Sequence, residues 1–382
     1  MADPDGLPER AETDLPTPLR IAPERYVMAE GAISELGRRL NADGDVSSVR
    51  VLGGETALSA VRDRLDRSLE REGIAARYAT FEGECSPSAV ADHRERLDAQ
   101  DADVLVGVGG GKALDAAKLV GEGLCPVATV PTSAATCAAW TPLSIVYEPD
   151  GAYREGIGLT RCPALVVVDV GVIADAPVRL LASGIMDASA KHFETRLLGT
   201  AVRPASRWGL EVAATAHTET LREHGETACA DAEAGRVTPE LTAVVEASVA
   251  GPGLAAGLMA DRSYITLPHV FCYVLLEYGS AAADSLHGER VAYGVVALQA
   301  LLEDDPATID SPVGPRELAA WYESLGARLD LEWLGVEDDV VEDVAADVVD
   351  ALEYDLLPET ISQRDVATAL RRVEELSTER PE

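Results

Sequence analysis

The chain has 382 residues, with 32 Lys plus Arg against 66 Asp plus Glu (formal net charge −34) and 47 % hydrophobic residues. That length suits about two domains, and the apolar content excludes a disordered chain. The acidic balance argues against nucleic-acid binding, which needs a basic surface to neutralise phosphates. Only Lys112, Lys118 and Lys191 are lysines; the other 29 basic residues are arginines. A carboxylate-rich surface nearly free of lysine fits a very salty cytoplasm, where screening makes self-repulsion tolerable.

Residues 1–18 are acidic and Pro-rich, with neither a basic leader nor an apolar run, and read as a flexible tail. No stretch approaches 18 uninterrupted apolar residues, so no membrane span is expected. The six cysteines (Cys85, Cys125, Cys137, Cys162, Cys229 and Cys272) are scattered without a CxxC pair. They read as reduced thiols of a cytoplasmic protein rather than a disulfide framework or a Cys-type zinc site.

Residues 19–175 read as one α/β unit. Val49–Leu52 is a short strand closed by Gly53-Gly54, and a helix follows from Glu55 to about Glu72, with Leu58, Val61, Leu65 and Leu69 at helical spacing. Ala76–Phe81 is a second strand, and Ser86-Pro87-Ser88 opens a helix. Val104–Val108 is apolar on both faces, as in a sheet covered on both sides. A helix from Lys112 and strands at Val127–Val130 and Leu165–Val168 complete the alternation, which predicts a doubly wound parallel sheet. From Pro177 onward the periodicity is helical, at Pro177–Leu198, Leu241–Met259, Arg290–Leu302, Pro315–Leu325 and Val366–Leu376. Residues 176–382 therefore read as an all-α domain. The acidic stretch Leu334–Asp355 reads as an amphipathic helix with a solvated face.

The run Val104-Leu105-Val106-Gly107-Val108-Gly109-Gly110-Gly111-Lys112 is strand, glycine turn and helix start. Glycines let the backbone approach a phosphate, and the helix N-terminus offers free N–H groups. The run is neither a Walker A loop, since Ala113 follows Lys112, nor GxGxxG. A plain tight turn is the alternative, but three glycines before one of three lysines point to a phosphate or carbonyl partner for a compact ammonium.

GVGGGKALDAAK, VATVPTSAATCAAWTPLSIVY, VVVDVGVIADAPVRLLASGIMDASAKHFETR and SLHGERVAYG together resemble the iron-containing, metal-dependent alcohol dehydrogenase superfamily. The resemblance is to its glycerol dehydrogenase-like branch, and TCAAWTPLS looks closest to hydroxycarboxylate dehydrogenase-type members. It implies a Rossmann-like domain followed by an all-α domain, the dehydroquinate synthase-like fold. It implies that Gly110, Gly111, Lys112 and Asp115 contact the cofactor, NAD or NADP, with Thr132, Thr141, Leu143 and Tyr147 at further cofactor-lining positions. Where glycerol dehydrogenases carry a ribose-binding Asp, this chain has Gly54 followed by Glu55. NADP is therefore open, with Glu55 as a possible substitute carboxylate.

The resemblance also implies one divalent metal ion, zinc or iron, held by Asp187 in the small-residue helix start Ser183-Gly184-Ile185-Met186-Asp187, by His269 and by His287. Spacing alone would not have identified these residues, since no HExxH occurs among the six histidines. Bland readings stand beside each: a helix-start carboxylate for Asp187, a helix cap for His287 and an ordinary histidine for His269. Pro268 could break the helix, and Cys272 stands where the family has a second His. His192 lies about 140° round the helix from Asp187, which disfavours it as a ligand. Lys191, four residues after Asp187, shares its face and could pair with it or reach the substrate.

The implied reaction is reversible hydride transfer between nicotinamide and a small hydroxy or oxo compound in a cleft between domains, with a homo-oligomer expected. Cys137 replaces a polyol-contacting Asp of glycerol dehydrogenases. That leans the reading to a 2-hydroxy acid/2-oxo acid pair, with Lys191 or Arg262 holding the carboxylate. Glycerol or another polyol is the alternative. A dehydroquinate synthase-like lyase and a non-catalytic nucleotide-binding protein are the remaining rivals.

Overall fold

The computed structural model describes residues 19–42, 46–98, 102–197, 204–259, 267–278, 284–303, 313–352 and 361–378. The tail at 1–18, Arg262 and most of the 280–284 connection lie outside the described residues.

The N-terminal part carries β1 (Arg25–Ala29), α1 (Leu36–Leu40), β2 (Ser48–Gly53), α2 (Glu55–Arg71), β3 (Ala75–Thr80), α3 (Pro87–Asp98), β4 (Val104–Gly109), α4 (Gly111–Gly121) and β5 (Val127–Pro131). A hairpin of β6 (Leu143–Tyr147) and β7 (Tyr153–Gly158) follows, then β8 (Leu165–Asp169) and the short α5 (Val170–Ala174). Six strands form one parallel sheet in the order β1-β8-β5-β4-β2-β3. The alternation read from the sequence thus produces the expected doubly wound sheet. Period-two side-chain geometry divides β4 between two cores. Val104, Val106 and Val108 join the α1/α2 side, whereas Leu105 joins the α3/α4 side. Every residue of β4 is buried, which is why it reads as continuously apolar.

The antiparallel β6–β7 hairpin was not expected. Its residues mix polar and aromatic types, and its strands are only half-buried, so no clean alternation marks them. Gly151, at φ 96°, supplies the left-handed turn residue.

Beyond β8 every described element is helical: α6 (Val178–Leu197), α7 (Pro204–Thr215), a π-helical turn at Ala216–Leu221, α8 (Arg222–Glu233), α9 (Pro239–Val249) and α10 (Gly251–Leu258). Then come α11 (Leu267–Tyr278), α12 (His287–Leu302), α13 (Pro315–Ser324), α14 (Val341–Ala351) and α15 (Gln363–Thr378). The single helix expected over Leu241–Met259 is two, divided at Ala250, where Gly251-Pro252-Gly253 interrupts the helical hydrogen bonds. The stretch Pro239–Leu258 is long and apolar enough for a membrane span, but 67 % of its most apolar 18-residue window is buried inside the fold.

Two further expectations change. Asp187 is not at a helix start, because α6 begins nine residues earlier, so a helix-dipole role is excluded for it. Pro268 does not break α11; it sits in the first turn, where a missing N–H is tolerated.

Helices α6 and α12 meet backbone to backbone. A Cβ on Gly288 would lie 1.8 Å from the Ser183 carbonyl oxygen, and one on Gly184 would lie 1.8 Å from that of Ala134. The missing side chains let α12 close on α6, and α6 close on the loop after β5.

Candidate active site

A cleft of about 1290 Å³ runs from the C-terminal ends of β2 and β4 into the helical half. A doubly wound sheet leaves its ligand crevice at that edge. Gly109 has φ 143°, a conformation open to glycine, and turns the chain into α4. Gly110 caps α4 without a side-chain hydrogen bond, so the first N–H groups of the helix are free for a ligand. Gly110, Gly111 and Lys112 all line the cleft; Lys112 is half-exposed and pairs with Glu84.

Thr132 lines the same wall, its N–H bonded to the Gly109 carbonyl at 3.1 Å. Thr141, Leu143 and Tyr147 line it further in. Their position depends on a buried ion pair. Lys118 Nζ lies 2.9 Å from Asp115 Oδ1 and donates to the carbonyls of Thr141 and Leu143. Asp115 Oδ2 accepts from the Ile145 N–H at 3.2 Å. Asp115 borders the cleft, but these bonds direct its carboxylate to Lys118 and β6. At the β2 end of the cleft, Gly54 and Thr56 face it, while the exposed Glu55 is outside its lining.

In the helical half, Asp187, His269 and His287 converge from α6, α11 and α12. One ligand atom from each lies within 4.8 Å of the others. Asp187 Oδ1 is 3.3 Å from His269 Nε2 and 3.3 Å from His287 Nε2. Donors about 2.1 Å from a shared cation at near-tetrahedral angles stand ~3.4 Å apart. One carboxylate oxygen and two imidazole nitrogens at these separations therefore fit a divalent ion such as zinc or iron. Burial pushes the Asp187 carboxyl up, but His287 and His269 overcome it and hold it well below the usual range. Burial lowers the His287 imidazole, yet Cys272 and Asp187 bring it up to about 10.

Lys191 lines the cleft one turn from Asp187, but its partner is Glu194, at 2.8 Å. His192 points the other way and stacks on His217 with ring centroids 4.7 Å apart, so it is not part of the set. Cys137 lines the cleft, its thiol pushed up to about 12 by burial and by Asp187. Cys137 itself adds no charge to that wall.

Two neighbours, Glu194 and Tyr273, escaped the sequence reading. Glu194, almost fully buried, accepts from or shares a proton with His269 Nδ1 at 2.6 Å. The spacing 187, 191, 194 is one helical stripe of charged residues, and that stripe was the available signal. Cys272 does not join the ligand atoms; its sulfur lies 3.5 Å from His287 Nδ1 and accepts from Arg290 Nε at 3.4 Å. Tyr273 of α11 stacks on Tyr153 of the hairpin, centroids 4.1 Å apart, joining the two halves beside the ligand cluster.

The sequence pattern of iron-containing alcohol dehydrogenases matches residues 23–170. Glycerol dehydrogenase from Pseudomonas putida is 33 % identical over 332 residues, 84 % of this chain and 86 % of that protein. The chain belongs to the iron-containing alcohol dehydrogenase family. Hydroxycarboxylate dehydrogenase A from Escherichia coli K12 is 32 % identical over 75 % of this chain and 80 % of its own. The crystal structure of glycerol dehydrogenase from Schizosaccharomyces pombe superposes with a TM-score of 0.83 at 26 % identity, covering 94 % of this chain and 90 % of that one. This iron-containing alcohol dehydrogenase is thus an oxidoreductase acting on CH–OH groups, of a family that works with a nicotinamide cofactor and a divalent metal.

Proposed function

We propose that the chain is a metal-dependent, NAD(P)-linked dehydrogenase of small polyols of the glycerol type. The observation that carries this is the convergence of Asp187, His269 and His287 on the wall of a cleft that begins at the triple-glycine turn. In this reading Gly110, Gly111 and Lys112 receive the cofactor phosphates, Thr132, Thr141, Leu143 and Tyr147 line its path, and Asp115 holds that wall through Lys118. Asp187, His269 and His287 hold one divalent ion, which when bound supplies Lewis acidity toward the substrate oxygen. A nicotinamide cofactor held there would supply the hydride acceptor or donor, and the protein would contribute its orientation. The lack of a carboxylate at Gly54, with Glu55 outside the cleft lining, favours NADP(H) over NAD(H).

The lean toward 2-hydroxy acids is second to the polyol reading. Lys191 is already neutralised by Glu194, which weakens it as a carboxylate anchor, and the glycerol dehydrogenases among the relatives support a polyol. The neutral Cys137 and the relative named hydroxycarboxylate dehydrogenase keep the acid as a second reading. Steady-state absorbance at 340 nm decides between them, using metal-loaded enzyme with glycerol and NADP or NAD, then with short 2-oxo acids and the reduced cofactors. A kcat/KM for glycerol at least tenfold above background, exceeding that for the acids, supports the polyol reading. Turnover of acids alone overturns it.

A further inference from the structure

We infer that Glu194 is a positioning residue whose two oxygens fix a metal ligand on one side and the substrate-side cation on the other. The inference rests on the metal reading above. Glu194 is 1 % exposed. A carboxylate so placed is costly unless both oxygens are paired. Oε1 lies 2.6 Å from His269 Nδ1, and Oε2 lies 2.8 Å from Lys191 Nζ. Asp187, Lys191 and Glu194 are at i, i+4 and i+7 on α6, within about 60° of one another round the axis. One helix face therefore carries a ligand, a cation and the carboxylate that organises both.

The bond to Nδ1 has a chemical consequence. When Nδ1–H donates to Glu194, the Nε2 lone pair is left facing Asp187 Oδ1, 3.3 Å away. A carboxylate behind a histidine in this way fixes its tautomer and ring orientation and strengthens it as a ligand. The second oxygen draws the Lys191 ammonium to α6 and away from Asp187, leaving the Asp187 carboxylate to the cation. Charge neutralisation of Lys191 alone would need only one oxygen.

The test uses the full-length protein stripped of metal and titrated with Zn²⁺ against a chromophoric chelator. Glu194→Gln should weaken Zn²⁺ affinity 10- to 100-fold, while the thermal midpoint of the metal-free protein moves by no more than ~3 °C. Lys191→Met should change Zn²⁺ affinity less than threefold. The double variant Lys191→Met/Glu194→Gln removes both charges from the interior together, and keeps the test open if the single variant does not fold; it should show the same 10- to 100-fold loss. With Co²⁺ in place of Zn²⁺, Glu194→Gln should also shift the visible absorption bands. Wild-type protein that binds neither ion overturns the metal reading itself. Wild type that binds Zn²⁺ tightly, with Glu194 variants within threefold of it, leaves that reading standing and overturns the role assigned to Glu194.

Discussion

Gly288→Ala adds one methyl group beside His287 and changes no chemistry. Its Cβ would stand 1.8 Å from the Ser183 carbonyl oxygen and 2.6 Å from the carbonyl carbon. Contacts under 3.0 Å do not occur for real Cβ atoms, so α12 and α6 must separate by at least about 1.2 Å. The same movement strains the hydrogen bond from Gly288 N–H to Ser183 Oγ, now 3.1 Å. Asp187 and His287, now 3.3 Å apart, are on the two helices being separated; opening along that line takes them to ~4.5 Å, beyond the ~3.4 Å that a shared divalent ion requires. Overpacking costs about 1–3 kcal/mol, and alanine's better helix propensity returns at most ~1 kcal/mol. The variant should fold with a lowered urea midpoint and bind Zn²⁺ at least ~10-fold more weakly than wild type. Chelator competition and urea titration on the same preparation measure both. A Gly288→Ala protein with wild-type midpoint and wild-type Zn²⁺ affinity would refute the close approach as the determinant of the site.

Three further outcomes follow from the same geometry. Lys118→Met leaves Asp115 buried without its cation and frees the carbonyls of Thr141 and Leu143, so unfolding stability in urea should drop by about 3–5 kcal/mol; a drop below ~1 kcal/mol would contradict the pinning role. Gly54→Asp places a carboxylate at the β2 end of the cleft, where the proposed reading puts the cofactor's ribose, and the ratio of kcat/KM for NADPH over NADH should fall at least ~10-fold; an unchanged ratio removes the basis for the proposed NADP(H) preference. His217 is fully buried, neither ring nitrogen has a hydrogen-bond partner, and burial, then His192 and Arg222, lower its pKa from 6.5 to about 3. Below pH 6.5 the unfolded chain takes up a proton that the folded chain refuses, so stability present above that pH is lost as pH falls toward 3. At pH 5 this one group removes about 2 kcal/mol, and His217→Phe should flatten the urea-measured stability between pH 7 and pH 5 by that amount; parallel profiles for the two proteins would contradict it.

The alternation of buried strands with amphipathic helices was legible because a residue's face in a helix or strand depends on local periodicity alone. Val104–Val108 and the Leu58/Val61/Leu65/Leu69 stripe needed nothing distant to be read. The hairpin Leu143–Gly158 was not legible, because it is held by Lys118 and by the Tyr153–Tyr273 stack rather than by its own pattern. The three lysines illustrate the same division. Their scarcity marked them as purposeful, but only the folded chain gave each a partner: Glu84 for Lys112, Asp115 for Lys118 and Glu194 for Lys191.

The glycine turn is a contiguous feature, and the residues themselves determined it: three glycines between a strand and a helix leave free backbone donors wherever the chain goes. The Asp187–His269–His287 cluster is different in kind. Its members are 82 and 18 residues apart, on three helices, and no periodicity links them. Resemblance to a family named them, but their convergence is decided by packing, chiefly by the glycines that let α12 lie directly on α6. Glu194 shows the limit most sharply. Its place on the stripe with Asp187 is fixed by the helical repeat, but its bond to His269 exists only because α11 is brought against α6 by the tertiary fold.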